Sequence, residues 1–371
     1  MRSILNPECH QLSPEDKWTL LSPHLTQHGR EALSYATLQA GMEYFIHDLG
    51  YIAFTTALHP VFARKPKRIV LADPVCATEH LRTLITDFLK AHPQAVFGVV
   101  SEACATQLRE FGFKANCVGY EPELTVQSYN TQGNWKELDM IKRARNEAKR
   151  EGISIREVNI AEVPLGQLQA LSSRWIQGKK VSDREIRVYA RPAVYLPEPG
   201  VRKFVAFDRE GTAIGYVFYD PMHSAGRVFG YSANTVRCDE QRYGRLATAI
   251  HMTAMDVFKA EGVDVMNLCL CPFTGLEKGS YQDDLMTKWF FQLSEKYGGE
   301  LYNFKGLNFH KSKYRGHEKP LYYASNSLFP SNDIYLAFLT SDIAKSYFST
   351  MGLLGKGMLK AWFAPRKTKQ V

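Results

Sequence analysis

Long apolar runs are missing from this 371-residue chain: Val96-Phe-Gly-Val-Val100 is typical of its longest stretches, far short of the ~18 residues that mark a membrane-spanning helix. The opening Met1-Arg-Ser-Ile-Leu-Asn-Pro-Glu8 turns polar without the apolar segment of a secretory leader. Cysteine is sparse and unpaired, with seven residues at 9, 76, 104, 117, 238, 269 and 271 and no C-x-x-C. Cys269-Leu-Cys271 reads as alternate positions on a buried strand rather than as a metal clip. The eleven histidines form no H-E-x-x-H, so no metal is expected. Reduced thiols and the missing leader predict a cytoplasmic protein. With 45% apolar and 23% charged residues, the composition also excludes wholesale disorder.

What the chain does have is positive charge, 46 Lys+Arg against 38 Asp+Glu, a balance of +8. Such an excess favours a polyanionic partner, nucleic acid or anionic membrane, over the alternative of a mildly basic protein with no such partner. The charge is concentrated in two places. In Trp135–Glu151 a narrow apolar stripe of Leu138, Ile141, Ala144 and Ala148 is flanked by Lys142, Arg143, Arg145, Lys149 and Arg150. Cations seven apart share a helical face, so two basic rows run along one predicted helix. The tail is the second place. Beyond Asp342 there is no acid, while Lys345, Lys356, Lys360, Arg366, Lys367 and Lys369 interleave with Met351, Leu354, Met358, Leu359 and Trp362 on one helical face. That pattern suits a helix lying on anionic lipid or one docked on the core.

Between these lie alternating strand and helix patterns. Met42–His47, Gly50–Ala57, Arg68–Asp73 and Val96–Val100 read as strands; Thr78–His92 carries apolar residues at 81, 84, 85, 88 and 89, the helical spacing. Ser101 caps a helix running to Phe111. After the basic helix the pattern repeats in outline, with strands at Ile153–Val158, Lys203–Asp208, Ala213–Tyr219, Arg227–Tyr231 and Asp264–Leu270, and helices at Leu165–Ile176, Tyr243–Glu261 and Gln282–Tyr297. The prediction is a mixed α/β fold of two tandem units, 1–134 and 135–330, followed by a basic amphipathic tail at 331–371.

Three segments carry chemistry. Gln241-Arg-Tyr-Gly244 precedes a helix, where backbone N–H groups can meet a pyrophosphate, but Leu246 crowds the approach that an acyl-CoA cofactor requires. Met266–Glu277 runs from a strand into a Pro-broken loop, placing Glu277 at the carboxyl end of a strand, where sites on open α/β sheets gather. In Phe304–Tyr314, Lys311 and Lys313 alternate with bulky residues, so on an extended segment both ammonium groups face one side, ready for a phosphate or a developing oxyanion. The remaining conspicuous residues read as structural: Trp135, Trp175 and His251 as core, and Asp73-Pro74 as the end of a strand.

The order of these segments resembles the soluble C-terminal domain of phosphatidylglycerol lysyltransferases, a tandem acetyltransferase-like fold, from about Ile69 to Ser325. The resemblance rests on Ala72-Asp-Pro74, Arg109–Phe113, the Lys142–Gly152 helix, Asn267–Glu277 and Lys311-x-Lys313-Tyr314. It implies an enzyme that moves an amino acid from aminoacyl-tRNA to a hydroxyl or amine, foremost that of a membrane lipid such as phosphatidylglycerol, with aminoacyl-tRNA as co-substrate and no other cofactor. Arg237, Asn234, Lys311 and Lys313 are the implied catalytic residues. Asn267, Glu277 and Tyr314 would bind substrate, and Arg143, Arg145, Lys149 and Arg150 would meet tRNA phosphates. The chain departs from the family pattern where Asn234-Thr-Val-Arg237 keeps the arginine of an Asp-x-x-Arg strand but carries an amide in place of the carboxylate. An acyl-CoA-dependent acyltransferase, a tRNA-dependent enzyme acting on a small natural-product precursor, and a non-catalytic nucleic-acid or membrane binder are the alternatives.

Overall fold

The computed structural model describes residues 12–60, 63–130, 138–177, 184–239, 242–300, 302–344 and 346–363. Helix α1 (Pro14–His28) begins where the Ser13 hydroxyl accepts a hydrogen bond from the Asp16 amide, with proline at its first position, and buries Leu21 and Leu25. Strands β1 (Glu43–His47) and β2 (Gly50–His59) form a hairpin, followed by β3 (Ala63–Leu71) and the short β4 (Val75–Cys76). Helix α2 (Leu81–Ala91), β5 (Ala95–Val100), α3 (Glu102–Glu110) and β6 (Lys114–Thr125) complete the first half. The helical spacing read at 81, 84, 85 and 88 is the buried face of α2. It packs on Phe54 and Phe97 of the sheet, and each large apolar side chain so buried contributes about 1.5–3 kcal/mol.

The second half contains α4 (Asp139–Arg150), β7 (Ser154–Glu157), α5 (Leu165–Gln177), β8 (Arg202–Phe207), β9 (Ala213–Ser224), β10 (Arg227–Cys238), α6 (Leu246–Ala260), β11 (Val265–Asn267), β12 (Cys271–Pro272) and α7 (Leu285–Tyr297). Then come α8 (Phe304–Ser312), β13 (His317–Ser325), α9 (Pro330–Thr340) and α10 (Tyr347–Phe363). All strands belong to one mixed sheet, in the order β1-β2-β3-β5-β13-β6-β11-β10-β9-β8-β7, with β4 on β2 and β12 on β6. The mixed α/β class is as expected. The two repeats, however, are fused edge to edge through the β6–β11 pairing. Moreover β13, late in the chain, lies between β5 and β6 of the first half, so a cut near residue 134 does not separate two independent sheets.

Three local expectations are corrected. Residues 304–312 are helical rather than extended: the Asn303 side chain accepts from the Gly306 amide and caps α8. Cys269 is not on a strand, because β11 stops at Asn267 and Cys269 sits in the connecting loop with φ of 60°. The Asp73 carboxylate does more than end a strand, accepting from both the amide (2.8 Å) and the hydroxyl (2.6 Å) of Ser101, the residue that caps α3.

Candidate active site

The two halves of the sheet and helices α5 to α9 enclose a cavity of about 370 Å³. Its wall is mostly apolar, with Val99, Leu268, Phe273, Phe291, Phe304 and Phe338 among the contributors. Two elements supply most of its polar groups, with Arg191 and His251 beside them. Strand β10 has a bulge at Asn234, where pairing with β9 shifts register between Ala233 and Thr235. In a regular strand, residues three apart point to opposite faces; the bulge lets Asn234 and Arg237 both line the cavity. Helix α8 supplies Leu307, His310 and Lys311, and Tyr314 follows one turn on. The spacing 307, 310, 311, 314 is helical, and it is the signal that an extended reading of Lys311 and Lys313 overlooks.

Each cationic group is held. The Arg237 guanidinium donates to Glu185 Oε1 (2.5 Å) and the Val236 carbonyl (2.8 Å), and lies over the Trp175 ring at 3.6 Å from its centre. Its Nε is buried without a hydrogen-bond partner. Lys311 Nζ donates to the carbonyls of Cys269 (3.1 Å) and Leu270 (3.0 Å), which leaves a third N–H for a ligand. Trp175 is half-buried against Arg237 and lines the cavity, so it belongs to the site and not to the core.

The amide at position 234 has a carboxylate beside it. Asn234 Nδ2 donates to Asp220 Oδ2 at 2.7 Å, and Arg191 grips the same carboxylate through Nε (3.0 Å) and a terminal nitrogen (2.5 Å). Asp220 is fully buried, and burial pushes its pKa up against the pull of Arg191. Arg191 also bonds Glu198, which in turn pairs with Lys203. The carboxylate missing from position 234 is thus present in space on the neighbouring strand β9. Arg191 and Asp220 carry no local sequence signal, because 28 residues of other structure separate them and only the fold joins them.

Two histidines flank the lysine, His251 buried and His310 half-buried. His251 Nδ1 meets the Tyr219 hydroxyl at 2.8 Å, and burial pushes its pKa down to about 3, with the charges of His310 and Lys311 adding to the shift. It is the satisfied core histidine expected, though it also borders the cavity. His310 is lowered to about 4, first by burial and then by Lys311 and Lys313, and its Nε2 lies 3.2 Å from the Tyr314 hydroxyl. Tyr314 donates to Thr248 at 3.0 Å. Both imidazoles are therefore neutral at pH 7.

The other expected site residues divide. Lys313 does not share a face with Lys311. It caps the carboxyl end of α8, lies 3.9 Å from the Phe309 ring centre, and borders a second cavity of about 280 Å³ together with Arg315, His317 and Ile141 of α4. Tyr314 borders both cavities and forms part of the wall between them. Asn267 is fully buried and bonds the Cys269 amide at 2.7 Å, so it braces the loop that Lys311 also holds. Glu277 is exposed in a short turn and lines neither cavity, which removes it from the site. On α4, Arg143, Arg145 and Arg150 are paired on the surface with Asp139, Asp256 and Glu151, and Lys149 is exposed. Gln241 and Trp135 lie outside the described residues. No cluster of three potential metal ligands occurs among the described residues.

Residues 24–325 match the family described as phosphatidylglycerol lysyltransferase, C-terminal. Among solved structures, the fold is similar to that of L-PGS from Bacillus licheniformis, with a TM-score of 0.69 and 19% identity, covering 91% of this chain and 99% of that one. It is similar also to the C-terminal domain of a putative lysylphosphatidylglycerol synthetase from Agrobacterium fabrum, with a TM-score of 0.68 and 17% identity, covering 88% and 97%. FemX shares the fold more distantly, with a TM-score of 0.52 and 9% identity over 90% of this chain and 99% of that one. An uncharacterized protein of Corynebacterium glutamicum is 22% identical over 195 residues, 52% of this chain and 24% of that longer protein, so the match spans about a quarter of that relative's length.

Proposed function

Because the chain belongs to the family of phosphatidylglycerol lysyltransferase C-terminal domains, we propose that it transfers an amino acid from aminoacyl-tRNA to the hydroxyl of an anionic lipid. The observation that carries this reading is the convergence of Arg237, Lys311 and Asn234 on one largely apolar cavity. Beyond Tyr314 lies a second cavity bordered by the basic helix α4. An aminoacyl ester is already activated, so the protein has only to orient the two substrates and stabilise charge as the tetrahedral intermediate forms.

In this reading the donor's terminal nucleotide arrives from the α4 side, where Lys313 and Arg315 border the smaller cavity, and the acceptor occupies the larger one. The acceptor hydroxyl attacks the ester carbonyl, a C–O bond forms to the lipid, and the bond to the ribose oxygen breaks. The spare N–H groups of Arg237 and Lys311 stabilise the oxyanion or the lipid phosphate. Neutral His310 takes the proton of the attacking hydroxyl and returns it to the ribose oxygen as that bond breaks. Asn234, whose Nδ2 is held by the buried Asp220, keeps its side-chain oxygen as an acceptor for the α-ammonium of the amino acid. The deciding experiment incubates the full chain with charged tRNA and phosphatidylglycerol. Label in the lipid fraction that RNase abolishes supports the reading; transfer that proceeds with acyl-CoA and no tRNA overturns it.

A further inference from the structure

Helix α7 has two working faces. Its inner face gives Phe291 and Ser294 to the wall of the larger cavity, while its outer face leaves Leu285, Met286 and Trp289 exposed, the tryptophan at 57%. Helix α10 packs alongside, so closely that a Cβ at Gly357 would strike the Tyr297 carbonyl at the end of α7. It buries Leu354 against the core and turns Phe348, Met351, Met358 and Leu359 outward, with Phe348 at 85% and Leu359 at 62% exposure. These positions fall on one helical side, with exposed Lys356 and Lys360 at its margin. Leaving large apolar side chains bare on two adjacent helices is unfavourable in water. α10 lies beyond residue 325, where the family match ends.

We propose that the joined outer faces of α7 and α10 form a docking surface for an anionic lipid bilayer. The occupant follows from charge as well as apolarity: residues 343–371 hold six cations and no acid, which complements a negatively charged headgroup layer. The geometry is that of an interfacial helix, apolar side chains inserted and lysines at the headgroups. No helix among the described residues is long and apolar enough to cross a membrane, and the contact proposed here is made by this face. The inference rests on the lipid-acceptor reading for its purpose, since docking by α7 sets the cavity wall against the source of acceptor.

The test is flotation of the full chain with vesicles of mixed phosphatidylcholine and phosphatidylglycerol, against phosphatidylcholine alone. The wild type binds the mixed vesicles, and salt weakens the binding. The pair Trp289→Ser and Leu359→Ser, and separately Lys356→Gln with Lys360→Gln, each weaken it about tenfold with unchanged urea midpoints. Variants that bind like the wild type, a wild type indifferent to anionic vesicles, or a dimer in solution that protects this face all overturn the surface. Transfer to a short-chain, water-soluble phosphatidylglycerol separates the two ideas. Vesicle binding without transfer overturns the proposed function alone, and transfer to the soluble acceptor without vesicle binding overturns the docking surface alone.

Discussion

The two halves of the sheet answer one structural problem in opposite ways. In the first half, the amino end of α3 is closed: Ser101 caps it at the Cys104 amide, and Asp73 fixes Ser101. In the second half, α6 begins at Leu246 with no side-chain cap, and its Ala247 and His251 border the large cavity. The first half likewise gives the cavity apolar wall, such as Val99 and Val118, whereas the bulged β10 of the second half gives it Asn234 and Arg237. A sealed helix end adds stability; an open end, together with a bulge placed at the cavity, leaves polar groups for a ligand. The two halves thus share one sheet yet give the cavity different things, apolar wall from the first and polar groups from the second.

Substitutions on the two sides should separate most sharply at their polar anchors. Arg237→Ala should lower turnover about 10²–10³-fold, the usual loss for one donor at a developing oxyanion, with Arg237→Lys restoring part of it. Asp73→Ala should leave turnover intact while lowering stability by about 1–3 kcal/mol through the orphaned Ser101 and its cap. Steady-state kinetics beside urea unfolding checks both; equal kinetic damage from the two would dissolve the distinction between scaffold and site. Lys311→Met comes next, at about 10-fold to 10²-fold, because it removes an oxyanion or phosphate donor and loosens the loop at Cys269 and Leu270. Lys313→Ala, outside the large cavity, should raise the KM for charged tRNA and spare kcat.

Much of this organisation can be read from residues alone where it is local. The face of α2 at 81, 84, 85 and 88, the Ser101 cap, the stripe of α4 and the hairpin at His47–Gly50 each follow from spacing within one segment. The tertiary features cannot. β13 begins His317-Glu-Lys-Pro320, polar and proline-containing, and becomes a central strand only because β5 and β6 hold it on both sides. The Asn234–Asp220–Arg191 linkage crosses three segments. Along the sequence, position 234 is short of a carboxylate; in space the charge sits one strand over. Lys311 and Lys313 part company because Asn303 caps a helix there.

A subtler effect concerns His251, on the open helix of the second half. Its pKa lies near 3 when folded, below the ordinary value near 6.5. As pH falls below about 6.5, the unfolded chain takes up a proton that the folded protein refuses, so stability from this group is present above that pH and is lost on acidification. His251→Gln should be less stable near neutrality, since the Tyr219 bond and the packing are disturbed. The gap to wild type should then narrow by about 1.4 kcal/mol per pH unit below 6.5. Urea unfolding at a series of pH values gives both curves, and parallel curves would mean that His251 is solvated.

The smallest effect on the protein itself is expected at α4, and it compares the halves at their surfaces. Arg143, Arg145 and Arg150 already have carboxylate neighbours, but exposed pairs of this kind contribute only about 0–1 kcal/mol each. A phosphate can therefore displace Asp139, Asp256 or Glu151 at little expense. Replacing Arg143, Arg145, Lys149 and Arg150 by glutamine should barely move the urea midpoint. The same variant should flatten the dependence of log K for tRNA on log salt by about 0.7–0.9 for each phosphate that the helix no longer neutralises. Arg82, paired with Glu110 on the surface of the first half, is the control: Arg82→Gln should leave that slope as it is. A slope that responds equally to both would mean that tRNA reads the overall charge of the protein; a slope that responds only to α4 places the nucleic acid on the half that carries Arg237.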